Sequence, residues 1–346
     1  MTDDAFAPPR SVSATLHDVA REAGVSLATA SRVLNGSARK VAGSYRERVE
    51  EAAERLGYTA NLSAQATARG TAAIIALLVA DIADPYFGEL ASGVARGADE
   101  AGLVVTIAIT ERDPDREVRL VRALRGQRPR GVILAASRPS PEIAPELARE
   151  LDAVTAAGGR VVALGVGSDT VRSVEIDNHG GAGALGAALA ERGYRRAIVL
   201  AAAEGVMTSD ARLAGFADGF LAGGGAEPRV YRGAFTRESG AEVMASALAD
   251  GIEPGTLVFA ISDVVAIGAL SAIRDAEREV GADIALCGFD DIPTGRDVTP
   301  PLTTVRVPLQ DVGYEAFRAA TDPDWEHDDD ALRLEVMLRA STPPLS

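Results

Sequence analysis

A chain of 346 residues has room for two or three domains, and 47% apolar content with 4% aromatic residues is the composition of a soluble globular protein. The formal net charge is −15, and Cys287 is the only cysteine, which excludes an intrachain disulfide framework and fits a reducing cytoplasm. There is no run of about 18 apolar residues, so no segment is expected to span a membrane.

Residues 1–14 lack a basic-then-apolar leader and read as a disordered arm. Order is expected from Thr15, which with Asp18 three residues on is close to a capping box and starts a helix at Leu16. Gly24 ends that helix where a positive φ is wanted, and Ser26 caps a second helix, Leu27 to Leu34, closed by Asn35-Gly36. Leu16, Val19, Ala20 and Ala23 form one apolar face, and Ala30, Val33 and Leu34 form another. Two short helices sharing such faces across a tight turn make a helix-turn-helix, with Leu27 to Leu34 as its recognition helix. A third helix is expected over Ser44 to Leu56, with Val49, Ala52, Ala53 and Leu56 at helical spacing and Gly57 as its stop. Between Ser11 and Arg46 the basic residues Arg21, Arg32, Arg39, Lys40 and Arg46 face only Asp18 and Glu22. A locally basic tip on an acidic chain is the electrostatic footprint of a phosphate-binding face.

The run Thr15-Leu16-x-Asp18-Val19-Ala20-x-x-Ala23-Gly24-Val25-Ser26-x-x-Thr29-x-Ser31-Arg32-Val33-Leu34-Asn35, with Arg46-x-x-Val49 and Leu56-Gly57-Tyr58 after it, resembles the headpiece of the lactose repressor/galactose repressor (LacI/GalR) family. That resemblance implies a homodimer on a two-fold DNA operator. Leu27, Ala28 and Arg32 would face base edges, Ser26, Thr29 and Ser31 would lie near phosphates, and Asn35 would hold the turn after the recognition helix. Thr15, Leu16, Lys40 and Tyr45 complete the DNA-facing set of a headpiece spanning residues 15–59.

Residues 60–71 are Ala-rich and polar, able to be helical only when something holds them. Alone they read as a linker. The resemblance makes them a hinge helix that folds in the minor groove and pairs with its twin, through Asn61, Ala64, Gln65 and Thr67. The chain departs from the family pattern here and just before. Thr67 stands where many members carry a Leu that wedges into a base step, and Ala60 stands where many carry Pro. One extra residue lies between Asn35 and Val41, and Ala42 and Tyr45 replace a usual Ser and Thr that contact phosphate.

From Ala72 the pattern alternates. Strands are expected at Ile74 to Val79, Val104 to Ile109, Val132 to Ala135 and Val161 to Leu164, with helices at Glu89 to Ala101, Asp115 to Arg125 and Glu142 to Ala157. The series restarts at strand Val174 to Ile176. It continues through helix Ala182 to Arg192, strand Ala197 to Leu200, helices Ser209 to Leu221 and Arg237 to Leu248, strand Leu257 to Ala260, helix Asp263 to Arg274 and strand Ile284 to Cys287. Near-continuous apolar strands between helices argue for parallel sheets covered on both faces, in two similar α/β subdomains with a cleft at the carboxyl ends of the strands.

This region, residues 72–346, also resembles the family's core and hence the periplasmic sugar-binding protein fold. The landmarks are Asp81-Ile82-x-x-Pro85-Tyr86-Phe87, Ile176-Asp177-Asn178, Arg212-Leu213-Ala214-Gly215-Phe216, Gly288-Phe289-Asp290-Asp291 and Pro300-Pro301-Leu302-Thr303-Thr304-Val305. By that pattern subdomain 1 comprises about 72–170 and 308–326, with Leu309 to Ala320 completing it. Subdomain 2 comprises about 171–307 and 327–342, with Arg333 to Leu338 adding a strand. The resemblance assigns a small-molecule effector, sugar-like or nucleoside-like, to Arg212, Asp290, the aromatic Phe235, and Tyr86 and Phe87 on the opposite wall. Ser262 is included too, where many sugar-responsive members carry Asn. Asp210, near Arg212, is expected to be able to neutralise it.

Rival chemistries find little support. Gly181-Ala182-Gly183-Ala184-Leu185-Gly186 has the GxGxxG spacing of a dinucleotide site, but Asp177 to Gly180 intervene between it and the strand. His17, His179 and His327 have no nucleophile at recognisable spacing, and Asp328-Asp329-Asp330 reads as a solvated loop with Trp325 as a packing anchor. No enzyme, metal or cofactor is expected. The acidic C-terminal segment has no heptads, so a coiled-coil tetramer tail is not expected either. The sequence thus reads as an α/β protein: a helix-turn-helix headpiece and hinge, then a two-subdomain periplasmic-binding-protein-like core. Its expected role is a ligand-responsive repressor in the cytoplasm, the alternative being an effector-independent regulator or scaffold acting through a protein partner.

Overall fold

The computed structural model describes residues 14–34, 41–58, 72–137, 142–165, 171–326 and 332–345, and the chain divides into two units, residues 1–69 and 70–346. Of the expectations above, the arm up to Ser13, Asn35 and Lys40, the hinge residues Asn61, Ala64, Gln65 and Thr67, and His327 with Asp328 to Asp330 lie outside the described residues.

The first unit is built by local signals. The Thr15 hydroxyl accepts from Asp18 N–H while the Asp18 carboxylate accepts from Thr15 N–H at 3.0 Å, so the capping box starts α1 (Leu16–Glu22). Gly24 takes φ +64 just past the helix end, and Ser26 Oγ accepts from Thr29 N–H at 3.1 Å to open α2 (Leu27–Leu34). α3 (Gly43–Arg55) closes the bundle, and Gly57 at φ +58 follows it. Val19, Ala20, Ala23, Ala30, Val33, Val49, Ala52 and Ala53 form the buried core. Leu56 is not among them: it is the C-cap of α3 and stays 37% exposed.

The second unit holds two parallel sheets. The first has the order β2-β1-β3-β4-β5, from β1 (Ile74–Val79), β2 (Val104–Ile109), β3 (Gly131–Leu134), β4 (Arg160–Leu164) and β5 (Arg172–Val174). Its helices are α4 (Pro85–Glu100), α5 (Pro114–Arg125) and α6 (Pro145–Ala156). The second sheet has the order β7-β6-β8-β9, from β6 (Ala197–Ala202), β7 (Arg229–Gly233), β8 (Thr256–Ala260) and β9 (Ile284–Cys287). It is flanked by α7 (Asn178–Glu191), α8 (Met207–Ala222), α9 (Arg237–Ala249) and α10 (Asp263–Asp275), and the short α11 (Thr294–Asp297) follows β9. Strands β10 (Thr304–Arg306) and β11 (Glu335–Met337) pair antiparallel, and between them α12 (Leu309–Thr321) returns to the first sheet. There Arg172 donates to the Ala319 carbonyl at 2.8 Å, and Arg160 to that of Thr321 at 3.1 Å.

Several elements differ from the sequence reading. The strand expected to open the second series is β5, which pairs with β4 (Val162 opposite Arg172, Leu164 opposite Val174) and closes the first sheet instead. Periodicity marks a strand but not the partner it will find. β7 was missed because it is a polar edge strand, Arg-Val-Tyr-Arg-Gly, with no apolar run to announce it. α4 begins four residues earlier than expected, at Pro85, where Asp84 caps it through Tyr86 N–H at 3.0 Å. α6, by contrast, begins later than expected, at Pro145 rather than Glu142.

The glycines of the GxGxxG run serve packing. A Cβ on Gly181 would lie 2.6 Å from Leu334, and one on Gly186 would lie 2.4 Å from the Phe216 carbonyl of α8. Gly183 admits the reciprocal approach, since a Cβ on Gly219 would lie 2.0 Å from its carbonyl. Small residues let α7 and α8 close on each other, which a dinucleotide fingerprint does not require. Inner faces of both sheets share one buried cluster, in which the Phe216 and Phe259 rings stack 4.5 Å apart.

Candidate functional site

In the first unit, burial divides α2 cleanly. Ala30 and Val33 face the core, whereas Ser26, Leu27, Ala28 and Arg32 are exposed and Thr29 and Ser31 are partly so. Leu27 is 38% exposed on the first turn. Arg32 makes no hydrogen bond or ion pair with the described residues, so its guanidinium is available to a partner. Thr15 is occupied differently: its hydroxyl donates to Asp18 at 2.7 Å besides capping α1. Leu16 packs partly against the core. Tyr45 is exposed on the first turn of α3, with the Arg48 guanidinium 5.8 Å from its ring centre. Arg48, which the sequence reading passed over, donates to the Ala23 and Gly24 carbonyls. Only a fold that lays α3 across the turn could reveal it.

In the second unit, a cleft opens between the lobes. Tyr86, Phe87, Arg212, Phe235, Ser262 and Asp290, drawn from five separate stretches of chain, all line it. Arg212 on α8 is its best-fixed member. Nε donates to Asn178 Oδ1 at 2.8 Å, Nη1 to the Ile261 carbonyl at 2.7 Å and Nη2 to Asp290 Oδ1 at 2.8 Å. Its guanidinium also lies 3.9 Å from the Phe289 ring centre. The partner that neutralises it is therefore Asp290, not the neighbouring Asp210, whose carboxylate accepts from Gly205 N–H and pairs with Arg232 at 3.2 Å. Residues two apart on a helix point to different faces, so Asp210 cannot reach.

The loop after β9 presents two carboxylates in opposite directions. Asp290 and Asp291 both take positive φ, 113 and 55. Asp290 faces the cleft, where burial pushes its carboxyl up to about 7 against the pull of Arg212. Asp291 faces inward and receives Arg296 at 2.9 Å, Arg306 at 2.8 Å and Arg339. Burial raises that carboxyl, but the three guanidiniums outweigh it and hold it below the ordinary carboxylate range.

On the opposite wall the Tyr86 and Phe87 rings meet edge to face at 5.0 Å. Burial, reinforced by the charge of Asp290, keeps the Tyr86 hydroxyl protonated. Phe235 has the Arg112 guanidinium 6.0 Å from its ring centre. Ser262 caps α10 by accepting from Val265 N–H, a bond that engages its oxygen and does not use its hydroxyl proton. Asp84, Arg112, Ser137, Asn178 and Thr208 also line the cleft and were not anticipated. Asn178 lay within a quoted landmark, so that signal was available. The Ser137 hydroxyl donates to that of Thr208 at 2.8 Å, joining the loop after β3 to the start of α8 across the cleft. An aromatic lining with a few fixed polar groups suits a flat or ring-shaped ligand carrying hydrogen-bonding edges. Among the described residues, no group of His, Cys, Asp and Glu side chains could hold a metal ion.

Comparison with known proteins agrees with both halves. Residues 15–61 match the family described as bacterial regulatory proteins, lacI family, and residues 187–342 match the periplasmic binding protein-like domain. The chain is 33% identical over 315 residues to the HTH-type transcriptional regulator CelR of Thermobifida fusca, covering 89% of this chain and 91% of that one. It is 32% identical over 342 residues to the HTH-type transcriptional repressor CytR of Escherichia coli strain K12, covering 97% and 98%. Among solved structures it is similar to the Lac repressor dimer bound to operator and the anti-inducer ONPF, with a TM-score of 0.77 at 25% identity over 95% of this chain and 99% of that one. It is also similar to the CelR–cellobiose complex, with a TM-score of 0.64 at 30% identity over the same shares.

Proposed function

This chain belongs to the lacI family of bacterial regulatory proteins, DNA-binding regulators rather than enzymes, and we propose that it is a homodimeric repressor whose grip on a two-fold operator is set by a small molecule in the cleft. In this reading two headpieces occupy two half-sites. Phosphate contacts from Ser26, Thr29 and Ser31 set the register, while Leu27, Ala28 and Arg32 select bases. Effector binding favours one placement of the two lobes, and that placement governs whether paired hinge segments form. Ligand and operator affinities are then coupled reciprocally. A function exercised on DNA supports a cytoplasmic location for it, and no helix among the described residues is long and apolar enough to cross a membrane.

The observation that carries the effector half is the convergence of Tyr86, Phe87, Arg212, Phe235, Ser262 and Asp290 on one cavity. The test uses the full chain and a duplex selected by it from random sequence. Sugars (cellobiose, the ligand of the CelR complex, among them), nucleosides and sugar acids are screened by thermal shift. The compound that raises the melting temperature should also change duplex affinity. Arg212→Ala should lose both responses, at a cost of more than about 2 kcal/mol in ligand affinity, while still binding the duplex. An unchanged thermal shift in Arg212→Ala would show that the ligand sits elsewhere.

A further inference from the structure

We propose that Arg48 and Tyr45 form a buttress that fixes the turn between α1 and α2, making Arg48 a positioning residue for operator recognition rather than a phosphate contact. The inference rests on α2 being the base-reading helix. Three observations converge on the turn. The Arg48 guanidinium donates to the carbonyls of Ala23 and, at 3.3 Å, Gly24, both of which the end of α1 leaves without helical partners. Its Nη2 lies 2.6 Å from where a Cβ on Gly24 would stand, so the bare glycine is the seat on which it rests. The Tyr45 ring, one turn earlier on α3, supports the same guanidinium at 5.8 Å.

Gly24 at φ +64 directs the chain from α1 into Ser26, the cap of α2. A cation spanning the two carbonyls that flank this turn restricts the angle at which α2 leaves, and so where Leu27, Ala28 and Arg32 point. The buttress also explains the departure at position 45. A threonine there offers a hydroxyl but no aromatic face, whereas Tyr45 supplies the face and points its use inward, toward Arg48. With Nη2 turned onto two backbone carbonyls, that nitrogen of Arg48 is withdrawn from phosphate.

The two roles separate by salt dependence and by conservative rescue. Affinities of the full chain for the selected duplex and for a scrambled one are measured by fluorescence anisotropy between 50 and 200 mM salt, roughly the window over which phosphate contacts are read. A buttress predicts that Arg48→Ala lowers the selected-over-scrambled preference about tenfold or more with the salt slope unchanged. Arg48→Gln, which can still donate to a carbonyl, should recover most of that preference. Tyr45→Phe, which keeps the ring, should retain more of the preference than Tyr45→Thr, which removes it and should lose several-fold. The proposal is overturned if Arg48→Gln lowers the salt slope by about 0.9, the signature of one lost phosphate contact. Equal loss in Tyr45→Phe and Tyr45→Thr, or an unchanged preference in Arg48→Ala, overturns it as well. Arg32→Ala in the same series checks the premise separately: a preserved preference there removes α2 as the reading helix, whatever Arg48 does.

Discussion

Gly24 shows how much one residue can hold. Its φ of +64 costs a side-chain-bearing residue about 1–2 kcal/mol, and a Cβ would also displace the end of Arg48. Gly24→Ala should therefore destabilise the headpiece by about 1–2 kcal/mol and weaken operator binding, read as an earlier helical melting transition and a lower duplex affinity; unchanged melting would contradict it. Asp290 acts at the same scale through its proton. Burial raises its folded pKa from the ordinary carboxylate value to about 7, so its contribution to stability is complete below pH about 4. That contribution is lost as pH rises through the folded value. The melting temperature of the wild type should accordingly fall relative to Asp290→Asn between pH 5 and 8, and a parallel pair of pH profiles would refute the assignment.

Among the elements, β10 and β11 depend on one carboxylate. Asp291 is 1% exposed at its side chain and serves Arg296, Arg306 and Arg339, which tie α11, β10 and the segment after β11 to the loop that carries Asp290. Arg296 and Arg306 are 56% and 38% exposed at their side chains and can turn to water, so removing the carboxylate strands chiefly Arg339 and costs about 1–3 kcal/mol. Asp291→Ala is expected to destabilise the core by that amount in denaturant titration, with Asp291→Asn intermediate. A loss below about 1 kcal/mol would mean that the guanidiniums find water instead. β5 shows how a strand can be expected near its true place and assigned to the wrong partner. A strand was expected at Val174 to Ile176, whereas the strand that forms is Arg172 to Val174, and only its register against Val162 to Leu164 assigns it to the first sheet.

Across the whole molecule, charge is segregated. Residues 1–70 carry nine basic against eight acidic residues while the chain as a whole carries −15, so the excess acid lies in the core and discourages its nonspecific adhesion to DNA. In the proposed dimer, the centre of the operator falls to the hinge, where Thr67 stands in place of a larger wedge. Thr67→Leu is expected to increase duplex bending, and identical gel-phasing mobility for the two proteins would remove that expectation.

By itself the sequence determined what short-range chemistry controls: the capping box at Thr15, the glycine turn, the Ser26 cap, the apolar faces of three helices, and alternating strands and helices. Each is set within a few residues, where periodicity and backbone preference act. The cleft residues were legible only through resemblance to a family, because nothing in their spacing joins Tyr86 to Asp290. Tertiary structure alone decided that Arg212 pairs with an aspartate 78 residues away rather than one two residues away. It likewise decided that β5 closes the first sheet and that Arg48 reaches back to the turn at Gly24. Those choices rest on which distant backbones and charges the packed helices and sheets bring within hydrogen-bonding reach, and local pattern carries no record of that.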